Sequence, residues 1–216
     1  MHLRNGDHGY GAVTKLLHWL TVVAIAGQFL VGYTMDLDGA FDRRDDRLDA
    51  LEERLEQLAE GRGEAAEERV EAEIERREAA LDAADDGQAA DVFSDVITGR
   101  AFTDGVSLPE LHIMLGLLII LLAAVRLLWR SSTPLPPWAE YLGPGERAFE
   151  AWAEKVLLGL LFAVPGTGLL LVVAGDEWVG VHIAAHIAFY VAIALHVALV
   201  LKHTVVRRDR HLSRML

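Results

Sequence analysis

The chain alternates between long apolar stretches and one long polar block. Four apolar stretches cover residues 16–35, 109–129, 156–175 and 178–201. Each is about 20 residues long, close to what a helix needs to cross ~30 Å of hydrocarbon. The pattern therefore predicts four transmembrane helices, here called spans one to four, with membrane lipid as their surroundings. The first stretch carries His18 and Gln28 and ends without a small-residue cleavage site, so it predicts a retained span rather than a secretory signal.

The polar block, residues 36–107, predicts a helical hairpin outside the membrane. Leucines at three- and four-residue intervals mark a first helix, and a second apolar stripe follows the glycines of "EGRGE" at 60–64. A spacer or cap on the outer face is one interpretation, and a docking surface for a basic protein partner is the other. The stripe residues are Leu48, Leu51, Leu55 and Leu58, then Val70, Ile74 and Leu81.

The predicted fold class is therefore all-α: a four-helix transmembrane bundle with a long extramembrane helical-hairpin insertion between spans one and two. We divide the chain into residues 1–35 (N-terminus and span one), 36–107 (acidic helical insertion), 108–204 (spans two to four) and 205–216 (basic tail).

Charge is segregated between these parts and indicates an orientation. The chain has a net charge of −12, but the insertion holds 23 of the 32 acidic and 9 of the 20 basic residues, a net −14. The end of the chain, "KHTVVRRDRHLSRML", has five Lys or Arg, whereas the turn "GDEW" has none. By the positive-inside rule both termini are predicted to be cytoplasmic and the insertion periplasmic.

The absence of cysteine restricts the possible chemistry. Without cysteine the chain has no disulfide, iron–sulfur cluster, thiolate zinc site or covalent CxxCH haem attachment. Any redox cofactor must be held non-covalently by nitrogen or oxygen ligands. No nucleic-acid partner is expected.

Span four places its histidines on one face. In "VHIAAHIAFYVAIALHVALVLKH", taken as a helix at about 100° per residue, His186 lies about 40° to one side of His182 and His196 lies about 40° to the other. His182 and His196 are separated by ~21 Å along the axis. His203 lies about 60° from His182, on the same side as His196, and at the cytoplasmic edge it is equally an interfacial residue.

Spans one and two each add a histidine at a matching depth. His18 matches His196, here called the inner pair, and His112 matches His182, the outer pair. This arrangement suits two haems stacked across the bilayer, each held by two imidazoles from facing helices. A single membrane histidine is otherwise a hydrogen-bonding or proton-transfer group. For His186 that alternative, or contact with a haem propionate, is favoured.

Other residues have two interpretations each. Arg126 is a contact for a haem propionate or a snorkelling anchor, and for Arg130 the anchor is favoured. Gly116, Gly27 and Gly32 either let a flat macrocycle approach the backbone or serve helix packing.

Four stretches together resemble one family. They are "KLLHWLTVVAIAGQFLVGYTM", "LHIMLGLLIILLAAVRLLWR", "VPGTG" and "HVALVLKHTVVRRDRHLSRML". They are similar, in this order, to the bacterial cytochrome b561 family, which is related to the b-type cytochrome subunits of hydrogenases and formate dehydrogenases. The resemblance covers everything except the insertion.

The resemblance implies a protein of the bacterial inner membrane with two haem b groups. It implies that His18 and His196 bind the iron of the cytoplasmic-side haem, and that His112 and His182 bind the iron of the periplasmic-side haem. It also implies ubiquinone or another quinone as electron partner, with superoxide or another periplasmic donor. Some members are superoxide oxidases, so a superoxide:ubiquinone oxidoreductase is one expected activity.

The chain departs from the family at two places. Glu154, eleven residues before Pro165, stands where the family usually has a histidine in span three. The insertion replaces a short loop, and its charge would repel the superoxide anion, although salt screens this beyond ~10 Å.

Three functional hypotheses result. The leading one is a di-haem cytochrome that passes electrons between a periplasmic donor and the quinone pool. A haem b anchor subunit of a larger dehydrogenase or hydrogenase is the alternative, and a non-haem, His-rich metal or proton transporter is a remote one. The choice between His182 and His186 as outer ligand stays open, although spacing favours His182.

Overall fold

The computed structural model describes residues 2–6, 9–37, 50, 53–55, 57, 63–138 and 142–207. Within this part of the chain the regular structure is helical, without a strand, apart from one isolated bridge between Gly6 and Gly9. The predicted all-α class is confirmed.

Six α-helices account for most of the described chain. A 3₁₀ turn (Asp176–Trp178) precedes the last of them, and a π-helical turn (Lys202–Val206) continues it. The helices are α1 (Ala12–Leu37), α2 (Glu64–Thr98), α3 (Ala101–Asp104), α4 (Leu108–Ser132), α5 (Pro144–Ala174) and α6 (Val179–Leu201).

Four helices are long and apolar enough to cross a membrane, which confirms the four predicted spans. They are α1, α4, α5 and α6 with its π-helical continuation. Many of their large apolar side chains are exposed, including Leu30, Leu128 and Val191. Contiguous exposure of this kind suits helices that contact hydrocarbon rather than water.

Two of the spans begin at identifiable helix-start signals. At α4 the Ser107 backbone N–H and hydroxyl both donate to the Glu110 carboxylate, at 2.6 and 2.7 Å, which forms a capping box. Helix α5 begins at Pro144, earlier than residue 156, because a proline in the first turn and Glu146 behind it both favour a helix start. The first turns of α5 are therefore charged.

The insertion contains a helix longer than the sequence predicts. Helix α2 is continuous from Glu64 to Thr98 and ends at Gly99, whose φ of 77° is the left-handed conformation that glycine adopts readily. The predicted first helix of the hairpin, at Leu48–Leu58, lies largely outside the described residues, so the hairpin stays a prediction.

The chain divides into two compact units, residues 1–28 with 114–216, and residues 29–113. In the first unit α5 packs along α6, and the buried side chains include Ala24, Ala123, Leu161 and Phe189. The second unit contains the end of α1, helices α2 and α3, and the first turns of α4. Its buried side chains include Val31, Ala101 and Glu110.

Candidate functional site

The structure brings the inner pair together. His18 on α1 and His196 on α6 belong to the same unit and are close enough to interact electrostatically. Both side chains are half-buried. The guanidinium of Arg126, on α4, also interacts with His18. Three residues selected from sequence therefore lie around one position in the first unit.

Trp19 borders the same position. Its indole meets the His18 imidazole edge to face, with ring centroids 5.5 Å apart. The indole is itself substantially exposed, which suits an aromatic side chain at a membrane surface.

His182 is held by two neighbouring residues of α5. Its Nδ1 lies 2.9 Å from the Thr167 hydroxyl oxygen. A Cβ placed on Gly168 would lie 2.9 Å from His182 Cε1 and 3.5 Å from both ring nitrogens. The imidazole therefore lies directly against the backbone of Gly168, and only glycine leaves room for it there.

His186 lies beside His182 on α6, as the helical angles predict. The two rings meet edge to face with centroids 4.4 Å apart. His186 Nδ1 lies 3.0 Å from the His182 backbone oxygen, and because a carbonyl only accepts, this nitrogen is the donor. His186 is thus oriented by its own helix, whereas His182 is oriented by a second helix.

His112 belongs to the second unit and also lies against a glycine. A Cβ placed on Gly32 of α1 would lie 3.5 Å from His112 Cε1 and 3.7 Å from Nδ1. These are ordinary contact distances, so the ring lies near Gly32 but leaves room for a methyl group there. The pairing of His112 with His182 stays a prediction from their positions along the spans.

The other two glycines selected from sequence pack against protein side chains. A Cβ on Gly116 would lie 3.8 Å from Pro165 Cβ, and one on Gly27 would lie 3.6 Å from Leu115 Cδ1. Among the alternatives left open by sequence, these contacts favour helix packing.

A small polar pocket lies beside Arg126, the arginine that interacts with His18. It is lined by residues of α1, α4 and α5, Thr14, Arg126, Trp129, Arg130 and Glu154 among them. Arg130 Nη1 donates to Glu154 Oε1 at 2.6 Å, so Arg130 is an ion-pair residue rather than only an anchor. Trp129 Nε1 donates to the Thr14 hydroxyl at 3.1 Å.

His203, expected from sequence to be as much interfacial as functional, is buried. Only 1% of it is exposed, and its Nε2 donates to Glu150 Oε1 at 2.8 Å. Together with Glu146, these two residues form a group of side chains of the kind that can bind a metal ion. However, Glu146 already pairs with Lys202 at 2.8 Å and Arg207 at 2.9 Å, so the group is an ion-pair network that ties α5 to the end of α6.

The residues present fit a haem held by imidazoles. Every candidate ligand is a histidine on an apolar helix, and neutral imidazole nitrogen is a common axial ligand of haem iron. His182 lies directly against Gly168, and His112 lies near Gly32, so each ring is next to the backbone of a neighbouring helix. Arg126 beside His18 offers the donors that a propionate carboxylate requires.

Four apolar helices, three of which carry candidate histidine ligands, define a multi-pass membrane protein. Residues 9–216 match the family model of the prokaryotic cytochrome b561. The chain belongs to this family and is a membrane b-type cytochrome that carries haem b and takes part in electron transfer. The match includes the insertion. Comparison with curated proteins and with solved structures finds no match.

Sequence reasoning did not select Thr167 or Gly168 as site residues. Both lie in the "VPGTG" stretch, which entered only through its resemblance to the family. The signal that could have found them is a hydroxyl and a glycine next to each other in an apolar span, where each needs a specific neighbour.

Proposed function

We propose that this cytochrome holds two haem b groups and passes electrons between a donor on the periplasmic side and a quinone. The inner haem is bound by His18 and His196, and the outer haem by His112 and His182. Both termini lie on the cytoplasmic side of a bacterial inner membrane. Membership of the family supports only a membrane cytochrome that carries haem b and takes part in electron transfer. The number of haems, their ligands, the quinone and the orientation belong to the proposal.

The observation that carries the proposal is the convergence of His18, His196 and Arg126 from three different spans. An imidazole inside an apolar bundle is costly unless a partner compensates it. Two imidazoles near each other, with an arginine beside one of them, provide both axial ligands and a counter-charge for a propionate. A proton-transfer role for His18 alone would not require His196.

The outer pair is supported by features that its histidines share with those of the inner pair. His182 lies about four helical turns before His196 on α6, and both are half-buried. His112 and His182 each lie against a glycine of a neighbouring helix. This packing limits the orientations of each ring, as a haem ligand requires.

Bound haem supplies an iron that gains or loses one electron. The chain's own residues would determine what surrounds it: the paired histidines would hold the iron, and the apolar helices would exclude water. Ligation by two imidazoles would favour electron transfer over oxygen binding.

The pocket beside Arg126 supports quinone as the electron partner. Its two arginines, Arg126 and Arg130, carry N–H groups of the kind that hydrogen-bond carbonyl oxygens. A quinone head group presents two carbonyls. Its lining includes Arg126, which interacts with His18, so a quinone there would lie near the proposed inner haem.

Superoxide is one candidate donor, and a protein partner is the other. The insertion carries a net charge of −14, which repels an anion and attracts a basic protein. Helix α2 presents several exposed charged side chains, among them Glu68, Glu71 and Glu75. These observations favour, as the second candidate function, a haem-bearing anchor subunit that docks a soluble redox partner.

The first experiment is a pyridine haemochrome count and an optical redox titration of the purified protein. We expect two haem b per chain and two redox transitions. His18→Ala and His112→Ala should each remove one haem, whereas His2→Ala, in the N-terminal tail, should remove none. A wild type with no haem, or one haem that His112→Ala leaves intact, would refute the proposal.

A second experiment separates the two candidate donors. The protein is isolated in mild detergent, and reduction of its haems by superoxide is followed by stopped flow. Rapid reduction of the lone cytochrome supports superoxide. Co-purification of a redox subunit in one-to-one ratio, with slow reduction by superoxide, supports the anchor function.

A further inference from the structure

The hydrogen bonds around Thr167 determine which nitrogen of His182 carries the proton. Thr167 Oγ1 lies 2.8 Å from the Val164 backbone oxygen and 2.9 Å from His182 Nδ1. Two oxygens this close need a proton between them, and a carbonyl has none to give. The single hydroxyl proton of Thr167 is therefore donated to Val164.

This assignment leaves the hydroxyl oxygen as an acceptor toward His182. The proton of that second hydrogen bond must come from the imidazole, so Nδ1 of His182 carries the hydrogen. In a neutral imidazole the lone pair then resides on Nε2. Nε2 is thus the nitrogen with which His182 can bind a metal.

Gly168 fixes the remaining freedom of the ring. The imidazole lies against its backbone, where a Cβ would come within 2.9 Å of Cε1. Thr167 binds Nδ1 of the ring, and Gly168 lies against Cε1. The two are consecutive residues of α5, so a single turn of one helix orients a ligand carried by another.

We propose that Thr167 is a positioning residue for the outer haem: it accepts the Nδ1 hydrogen of His182, presents Nε2 to iron and raises the basicity of the imidazole. The inference rests on the proposed di-haem function. A hydrogen bond from the non-ligating nitrogen makes a histidine a stronger electron donor and fixes its orientation. The Nδ1 of His186 instead donates to a carbonyl of its own helix, so no second helix orients that ring through this nitrogen.

Replacement of Thr167 by valine tests the proposal. Thr167→Val keeps the shape of the side chain and removes the acceptor. We expect the full-length, haem-loaded protein to show a higher midpoint potential for one of its two haems, because a less basic ligand stabilises the ferric state less. The expected change in the reduction equilibrium is up to about tenfold, or about 59 mV for a one-electron couple. The low-spin ferric EPR signal of the same haem should shift as well.

Two control variants identify the cause. Thr167→Ser keeps the hydroxyl and should retain the wild-type potentials and EPR signals. Thr21→Val removes another hydroxyl that donates to its own helix, at 2.7 Å to the Leu17 carbonyl in a buried position of α1. It should leave the outer haem unchanged. Loss of the outer haem in Thr167→Val but not in Thr167→Ser would also support the proposal.

Unchanged potentials and EPR signals in Thr167→Val would overturn the proposal, as would equal shifts in Thr167→Ser and Thr167→Val. If the valine variant does not accumulate, Thr167→Ala removes the same hydroxyl without a branched side chain, and the same criteria apply. If the proposed di-haem function is wrong, the result is different. The wild type then contains fewer than two haems, or His182→Ala retains both haems, regardless of the result for the Thr167 variants.

Discussion

Glu154 Oε1 lies 2.6 Å from Arg130 Nη1. The carboxylate that stands where the family usually has a histidine in span three thus forms an ion pair with the arginine at the end of span two. The pair joins α5 to α4 at the edge of the polar pocket.

A double-mutant cycle measures what this ion pair contributes. Each side chain is 33% exposed, so we expect a coupling free energy of at most about 1 kcal/mol between Glu154→Gln and Arg130→Gln. The measurement is thermal unfolding in detergent, followed by circular dichroism, for the wild type, both single variants and the double variant. Strictly additive effects would show that the pair contributes nothing. The haem spectrum should not change in any of the four proteins.

Gly168→Ala should remove or displace the outer haem. The added Cβ would lie 2.9 Å from His182 Cε1, closer than real Cβ atoms approach a neighbour, so the imidazole must move. We expect a loss of haem from two per chain toward one, read from the pyridine haemochrome. Gly166→Ala is a matched control two residues away on α5, where an added Cβ meets no atom within 4 Å. Equal haem content in both variants would contradict the role of Gly168.

The spans and the shared face of the span-four histidines could be predicted because both depend on local sequence. Hydropathy over about 20 residues identifies a membrane helix, and a fixed rotation of about 100° per residue places His182, His186 and His196 on one face. The resemblance to the family only implies which histidines of other spans are their partners. Features that depend on a single helix were therefore predictable.

The ion pairs and Thr167 could not be predicted in the same way. The charged first turns of α5 fall outside the apolar stretch, so Glu146 and Glu150 were not assigned to the helix of span three. Their contacts with His203 and Lys202 depend on that assignment. The bond between Thr167 and His182 depends on how α5 and α6 are rotated about their own axes, which a single sequence does not specify.

The pKa of Glu73 in α2 offers a test outside the membrane. A hydrogen bond from Arg77, at 2.9 Å, and the nearby charge of Arg76 hold the pKa of this carboxyl below its usual range. Because the folded pKa is depressed, the stabilisation of α2 by this pair is complete above the unfolded value of about 4.3. It is lost as the pH falls through the folded pKa.

The measurement is a ¹³C NMR titration of the Glu73 carboxyl. Arg77→Gln should raise the midpoint toward the ordinary glutamate value, and Arg76→Gln should raise it less, since the Arg77 hydrogen bond is the largest cause of the shift. An unchanged midpoint in Arg77→Gln would mean that the hydrogen bond does not form in solution.

His203 and His196 should respond differently to the same substitution, although both lie near the end of span four. His203→Ala removes the donor to Glu150, whose side chain is only 11% exposed, and leaves that carboxylate with a desolvation penalty of about 1–3 kcal/mol. We expect a lower unfolding temperature with two haems retained. His196→Ala should instead remove the inner haem, because His196 is proposed to bind its iron. Thermal unfolding and haem content, measured on both variants, separate the two roles. If His203→Ala instead lost a haem at an unchanged unfolding temperature, His203 rather than His196 would be the iron ligand. The predicted pairing of His18 with His196 at the same membrane depth would then be wrong.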